Sequence, residues 1–144
     1  MSSIHQSIRS ALEDRLNTLS NVVGATFPVV YENVPYSPTT GTTYVTSKLV
    51  HTNRRRSARG PNASIRYQGF MYLEVYAPEN AGPAAAENLV ETIIDSFESN
   101  TNVTYTTSGG TTLTVSIDYA ERDQGFLDTP WYYIPIRIGW YIYN

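Results

Sequence analysis

The stretch from Ile65 to Phe97 constrains the fold more than any other part of the chain. It reads Ile-Arg-Tyr-Gln-Gly-Phe-Met-Tyr-Leu-Glu-Val-Tyr-Ala-Pro, then Glu-Asn-Ala-Gly-Pro, then Ala-Ala-Ala-Glu-Asn-Leu-Val-Glu-Thr-Ile-Ile-Asp-Ser-Phe. Tyr67, Met71, Leu73, Val75 and Ala77 recur at a period of two, with Gln68, Phe70, Tyr72, Glu74 and Tyr76 between them. That alternation predicts a long strand. Pro78 ends it, having no N–H for the ladder. The following residues predict a helix over about 83–97. Pro83 suits its first turn. Ala86, Leu89, Val90, Ile93, Ile94 and Phe97 form one apolar stripe, while Glu87, Glu91, Asp95 and Glu98 lie away from it. A half-apolar strand and a one-sided helix bury their apolar surfaces together, and the rest of the chain completes that layer.

A first helix is expected from a cap at Ser2 or Ser3 to about Leu19, with Ile4, Ile8, Ala11, Leu12, Leu16 and Leu19 as its stripe. Gly24 follows its end. Val29 to Tyr31 reads as a short strand, and Pro35 and Pro38 make the next stretch irregular. Thr43 to Val50 is another strand, paired antiparallel with the one from Ile65. Between them, residues 51–64 read as a projecting loop carrying Arg54, Arg55, Arg56 and Arg59, four of the ten basic residues. Loops above about 12 residues are usually functional or disordered. Val103 to Thr107 and Thr111 to Tyr119 flank Ser108-Gly109-Gly110. A three-residue loop sets Val103 and Tyr105 opposite Val115 and Leu113, apolar on apolar, with Gly110 at positive φ. Residues 120–129 read as a charged linker. The last strand, Trp131 to Tyr143, puts Tyr132, Ile134, Ile136, Ile138, Trp140 and Ile142 on one face, and Trp131, Tyr133, Arg137, Tyr141 and Tyr143 on the other. Pro135 inside it suggests a sheet edge or a bulge.

The expected fold is therefore α+β. One mixed or antiparallel sheet carries an N-terminal helix and the second helix, and a long hairpin ends in the Arg-rich loop. At 144 residues, 1–144 is read as a single domain. Twelve tyrosines and many β-branched residues favour the sheet-rich class. A net charge of −3 calls for no nucleic acid or acidic membrane as a global partner. No signal peptide is expected at Met-Ser-Ser-Ile-His-Gln-Ser, and no membrane span.

The absence of cysteine excludes thiol catalysis and thiolate metal sites. Nothing matches HExxH, GxSxG or a phosphate-binding glycine loop. His5 and His51 stand far apart in sequence, and His51 has no second ligand at a suitable spacing. No enzyme, metal or cofactor is expected. The arginine cluster suits phosphates or an acidic protein surface. The outward face of the second helix (Glu87, Glu91 and Asp95) supplies such a surface, so a basic loop could meet a neighbouring copy's acidic helix. Trp131, Tyr133, Tyr141 and Tyr143 are the aromatic candidates for a subunit or partner interface.

Three co-linear stretches resemble the phage tail terminator family, the lambda tail-terminator-like proteins of phages and prophages. They are Val30-Tyr31-Glu32-Asn33-Val34-Pro35-Tyr36-Ser37-Pro38, Gly69 to Pro78 followed by Gly82-Pro83-Ala84-Ala85-Ala86, and Trp131-Tyr132-Tyr133-Ile134-Pro135-Ile136-Arg137-Ile138-Gly139-Trp140. The resemblance implies a virion structural protein that forms a hexameric ring. The ring caps the tail tube, stops its polymerisation and offers a surface to head-completion (neck) proteins. It implies a place at the tail–neck junction, in host cytoplasm during assembly, with DNA passing through the lumen without specific binding. The alternatives are another head–tail joining protein, such as a neck stopper, or a nucleic-acid-binding module using Arg54 to Arg59.

Overall fold

The computed structural model describes residues 4–22, 27–37, 42–60, 63–79, 83–98, 101–107 and 109–144. The expected cap at Ser2 or Ser3, Gly24 and most of the Glu-Asn-Ala-Gly-Pro connection lie outside these. The elements are α1 (Ile4–Val22), β1 (Val29–Val30), β2 (Tyr44–Arg56), β3 (Ile65–Pro78), α2 (Ala84–Ser96), β4 (Asn102–Thr106), β5 (Thr112–Arg122), β6 (Phe126–Asp128) and β7 (Trp131–Tyr143). The fold is α+β, with one curled mixed sheet ordered β1-β2-β3-β7-β5-β4, and β6 pairing β7 beside β5. The β1–β2 pair is parallel and every other pair is antiparallel.

Both helices lie on one face. Ile8, Ala11, Leu12 and Leu16 of α1 and Ala86, Val90, Ile93 and Phe97 of α2 are buried in one core with Leu73, Val75, Ile134, Ile136, Ile138 and Trp140. Each of these branched or aromatic side chains contributes about 1.5–3 kcal/mol by leaving water. Arg15 of α1 ties the helices together: its Nε and Nη2 donate to the Ser96 carbonyl at 2.9 and 2.7 Å. No basic residue lies in the last turn of α2, so a guanidinium from the other helix faces the negative end of its dipole.

The β4–β5 hairpin has the expected register, with Val103 opposite Val115, Tyr105 opposite Leu113, and Gly110 at φ 86°. Three expectations are corrected. First, β2 does not stop at Val50. It continues through a bulge between His51 and Asn53 and pairs Arg54, Arg55 and Arg56 with Tyr67, Arg66 and Ile65. The expected loop over 51–64 therefore begins only at Ser57. A strand needs no apolar run when its ladder is supplied by a partner that is already extended, and arginine stems lie along the sheet with their heads in water. Second, the charged linker over 120–129 is largely strand. Ala120, Glu121 and Arg122 pair with Ile138, Arg137 and Ile136, and β6 pairs with Trp131 to Tyr133. Third, β7 is not an edge strand; it lies between β3 and β5. Pro135 is tolerated because its backbone polar side faces the gap between β5 and β6, where only the Asp123 N–H approaches and donates to the Pro135 carbonyl at 2.9 Å. The missing N–H breaks no ladder bond there.

Candidate interaction face

No helix covers the second face of the sheet among the described residues, and its side chains fall into three zones. At one end the rings of Tyr44, Tyr76 and Tyr133 stack across β2, β3 and β7, with centroids 4.8 and 5.1 Å apart. Tyr36 extends the row past Tyr44 at 5.3 Å, and Phe126 past Tyr133 at 5.6 Å. The register sets this row, because Tyr44 is opposite Tyr76 and Tyr76 is opposite Tyr133. Each aromatic pair is worth about 0.5–1.5 kcal/mol beyond its buried area. Trp131 sits edge-on to Tyr44 at 5.2 Å and is buried, so it builds the row from below.

The middle zone is charged. The Tyr76 hydroxyl donates to Glu74 Oε2 at 3.2 Å. Burial, with Glu74 beside it, pushes the Tyr76 phenol well above its ordinary value. Arg137 reaches Asp123 at 3.0 Å and Glu121 at 3.9 Å. The far end is cationic and aromatic: the Arg66 guanidinium lies over the Tyr141 ring at 4.9 Å and the Tyr143 ring at 5.9 Å. Arg55, directly opposite Arg66, stands exposed beside them.

The sequence candidates thus separate. Tyr133, Tyr141 and Tyr143 share the open face, with Tyr143 54% exposed; Trp131 lies on the same face but is buried there against Tyr44. Arg54 turns to the helix side, its Nε 3.3 Å from the Tyr67 hydroxyl. Arg56 donates to the Gly60 carbonyl at 2.8 Å, and Arg59 is exposed near the hairpin tip. Among the described residues no carboxylate pairs with Arg54, Arg55, Arg56 or Arg59. On α2, Glu87 pairs with Arg122 at 3.4 Å, and Glu91 and Asp95 are exposed. The arginines and this acidic face do not meet within the chain.

One pairing is invisible in the sequence. His5 and His51, 46 residues apart, bring their Nδ1 atoms to 3.4 Å with rings edge-on, against Tyr67 and Trp140. Burial lowers the His51 pKa from its ordinary 6.5; His5 and Arg9 add to this and Glu32 opposes it. The neutral ring is favoured in the folded state, so the unfolded chain binds more protons below about pH 6.5. Stability is then full above that pH and falls as pH drops towards the folded value. His51→Gln is expected to flatten the fall in urea midpoint between pH 7.5 and 5. Among the described residues no three His, Cys, Asp or Glu side chains converge to hold a metal, and no helix is long and apolar enough to cross a membrane.

The family profile described as phage tail terminator protein matches residues 7–140. The chain belongs to the phage tail terminator family. A solved structure is similar over 98% of this chain and 96% of its own, with TM-score 0.75 and 21% identity, a likeness of fold. No curated protein matches the sequence. As a member of the tail terminator family the chain has a structural role in the phage tail and is a component of the virion tail; the family is structural rather than enzymatic.

Proposed function

We propose that the protein acts as a tail terminator in the literal sense. Identical subunits close as a ring, read as a hexamer, on the finished end of the tail tube. The ring halts tube growth and presents a surface to head-completion proteins at the tail–neck junction, after assembly in host cytoplasm. The observation that carries this reading, beside the family, is the sheet face that no helix covers among the described residues, with aromatic rings at one end and, at the other, Arg55 and Arg66 with no carboxylate partner among those residues. Tyrosine and arginine are the residues that dominate protein interfaces. DNA would pass the ring without sequence readout.

The test is to add purified protein to polymerising tail tubes, measuring tube length by electron microscopy and mass by light scattering. Capped tubes of fixed length support the reading; unaltered growth sinks it. Phe126 and Tyr143 are 50% and 54% exposed, so Phe126→Asp with Tyr143→Asp should lose little more than their ring contacts, about 0.5–1.5 kcal/mol per site, and leave the fold intact. Assembly or tube binding should weaken by about tenfold or more, the effect of losing a contact worth over 1 kcal/mol.

A second reading follows from Arg66 stacked on Tyr141 and Tyr143 with Arg55 beside it: this end could contact nucleic-acid phosphates. DNA retention that falls steeply with salt, and is lost on replacing Arg55 and Arg66 with Ala but not Arg54 and Arg56, would favour it.

A further inference from the structure

The two edges of the sheet fit each other. On one side, β1 covers only Val45 and Thr46 of β2, and Glu32 Oε1 takes the Leu49 N–H at 2.7 Å. Burial opposes ionisation of Glu32, but that N–H and Arg9 together hold its carboxyl below the usual range. Residues 51–56 of β2 have no strand on their outer side among the described residues. The Ser57 N–H bonds back to the Ser64 carbonyl of the hairpin. Alternation then turns the backbone of Arg55 inward to β3 and those of Arg54 and Arg56 outward.

At the other side β4 is outermost. The Thr107 N–H donates to Thr111 and the Ile117 N–H to Thr101, so odd-numbered residues of β4 bond to β5. Asn102, Thr104 and Thr106 therefore turn their N–H and C=O groups outward.

Direction and face agree as well. β2 to β3, β3 to β7, β7 to β5 and β5 to β4 are each antiparallel. β2 and β4 consequently run the same way. A copy rotated about an axis along the strands lays its β2 parallel to β4, with the open faces continuous. In a parallel pair an outward residue bonds to the two residues flanking its opposite number, so Thr104 seats between Arg54 and Arg56 of the second copy, opposite its Arg55.

The charges match the same placement. Beside β4, on the helix side, α1 leaves a groove of about 400 Å³ lined by Ala11, Asp14, Arg15, Leu19, Val103 and Tyr105 among others. Arg15 is held by the Ser96 carbonyl, and Asp14 is exposed. Asp95 and Glu98, both exposed, flank Ser96, which also lines the groove. Arg54 and Arg56 are on the helix side of their own sheet, as Val103 and Tyr105 are of theirs. Their stems would cross the apolar groove and their heads would meet carboxylates.

We propose that a second copy of this chain adds residues 52–56 of its β2 to the β4 edge in parallel, with Arg54 and Arg56 over the α1–β4 groove. This rests on the ring reading above and names its contact. Main-chain bonds supply affinity and the groove supplies selectivity, the division of labour of strand addition. Arginine on the donor edge and carboxylate beside the acceptor edge favour this pairing over like-edge pairing.

The absence of cysteine makes the test clean. Arg55→Cys with Thr104→Cys places two exposed thiols on opposite edges of one subunit, where they cannot reach each other. Across the proposed pair their Cα atoms would lie about 4.8 Å apart, within disulfide range. Mild oxidation, with and without tail tubes, is expected to give a ladder of covalent multimers on a non-reducing gel; Arg55→Cys with Leu127→Cys is the control that gives none. Assembly by light scattering without a ladder overturns this contact and leaves the ring reading standing. A monomer under both conditions overturns the ring reading and the contact with it. Asp14→Arg should weaken assembly by tenfold or more, and adding Arg54→Asp should restore it. A reversal without effect removes the groove from the contact.

Discussion

Gly69→Ala will lower the unfolding free energy by about 3 kcal/mol or more, because the space for a side chain does not exist. Gly69 lies between His51 on β2 and Trp140 on β7. A Cβ there would run into the Val50 carbonyl oxygen and stand 2.9 Å from Trp140 Cζ2. Backbone cannot move aside as a surface side chain can, so β2 must separate from β3 where its bulge begins. The strand pattern alone places residue 69 on the buried face with Tyr67 and Met71, where any apolar residue looks acceptable. Only the close approach of Val50 and the indole requires glycine. Urea unfolding followed by tryptophan fluorescence measures the loss, and a midpoint within error of the parent chain would contradict the packing.

Trp140→Ala is expected to cost about 3–5 kcal/mol, the range for emptying a buried aromatic site. Trp140 is 1% exposed. The indole fills the place Gly69 leaves vacant and meets His51 edge-on at 5.3 Å. Its Nε1 has no hydrogen-bond partner among the described residues. An unpaired buried donor costs about 1–3 kcal/mol, so phenylalanine, which keeps a ring and drops that donor, should lose far less than alanine. A thermal melt of both variants reads the difference. Equal losses would mean that a feature specific to the indole, and not ring bulk, carries the stability. Gly69 and Trp140 share one packing site, so the double variant should fall short of the sum of the two.

Strands whose two faces differ sharply were legible from the chain alone. β3 and β7 begin and end where their alternation does, and the β4–β5 register follows from matching Val103 and Tyr105 with Val115 and Leu113. The distal half of β2 was not, because Asn53 to Arg56 carry no apolar signal and are held by the ladder of a neighbour. The same holds for Glu121 and Arg122, whose charges find Arg137 on β7 and Glu87 on α2. At the candidate face, the arginines and tyrosines could be named from sequence. The alternation of β7 placed Trp131, Tyr133, Tyr141 and Tyr143 on one face, as they are found; the arginines could not be sorted this way, since Arg54 and Arg55 fall on opposite faces. His5 with His51 had no local signature at all. Contacts between residues distant in sequence depend on which strands become neighbours, and that choice is made by the whole core.

The Arg15 bond to Ser96 spans 81 residues, and it bears on how the molecule is made. α1 leaves the ribosome well before the carbonyl that receives its guanidinium and the β4 strand it packs beside. Until then the stripe of Ile8, Leu12 and Leu16 lacks its α2 and β4 partners and keeps part of its apolar surface exposed. Pairings so far apart in the chain also slow closure of the core. A subunit built this way locks α1 fully in place only once α2 and β4 have been made.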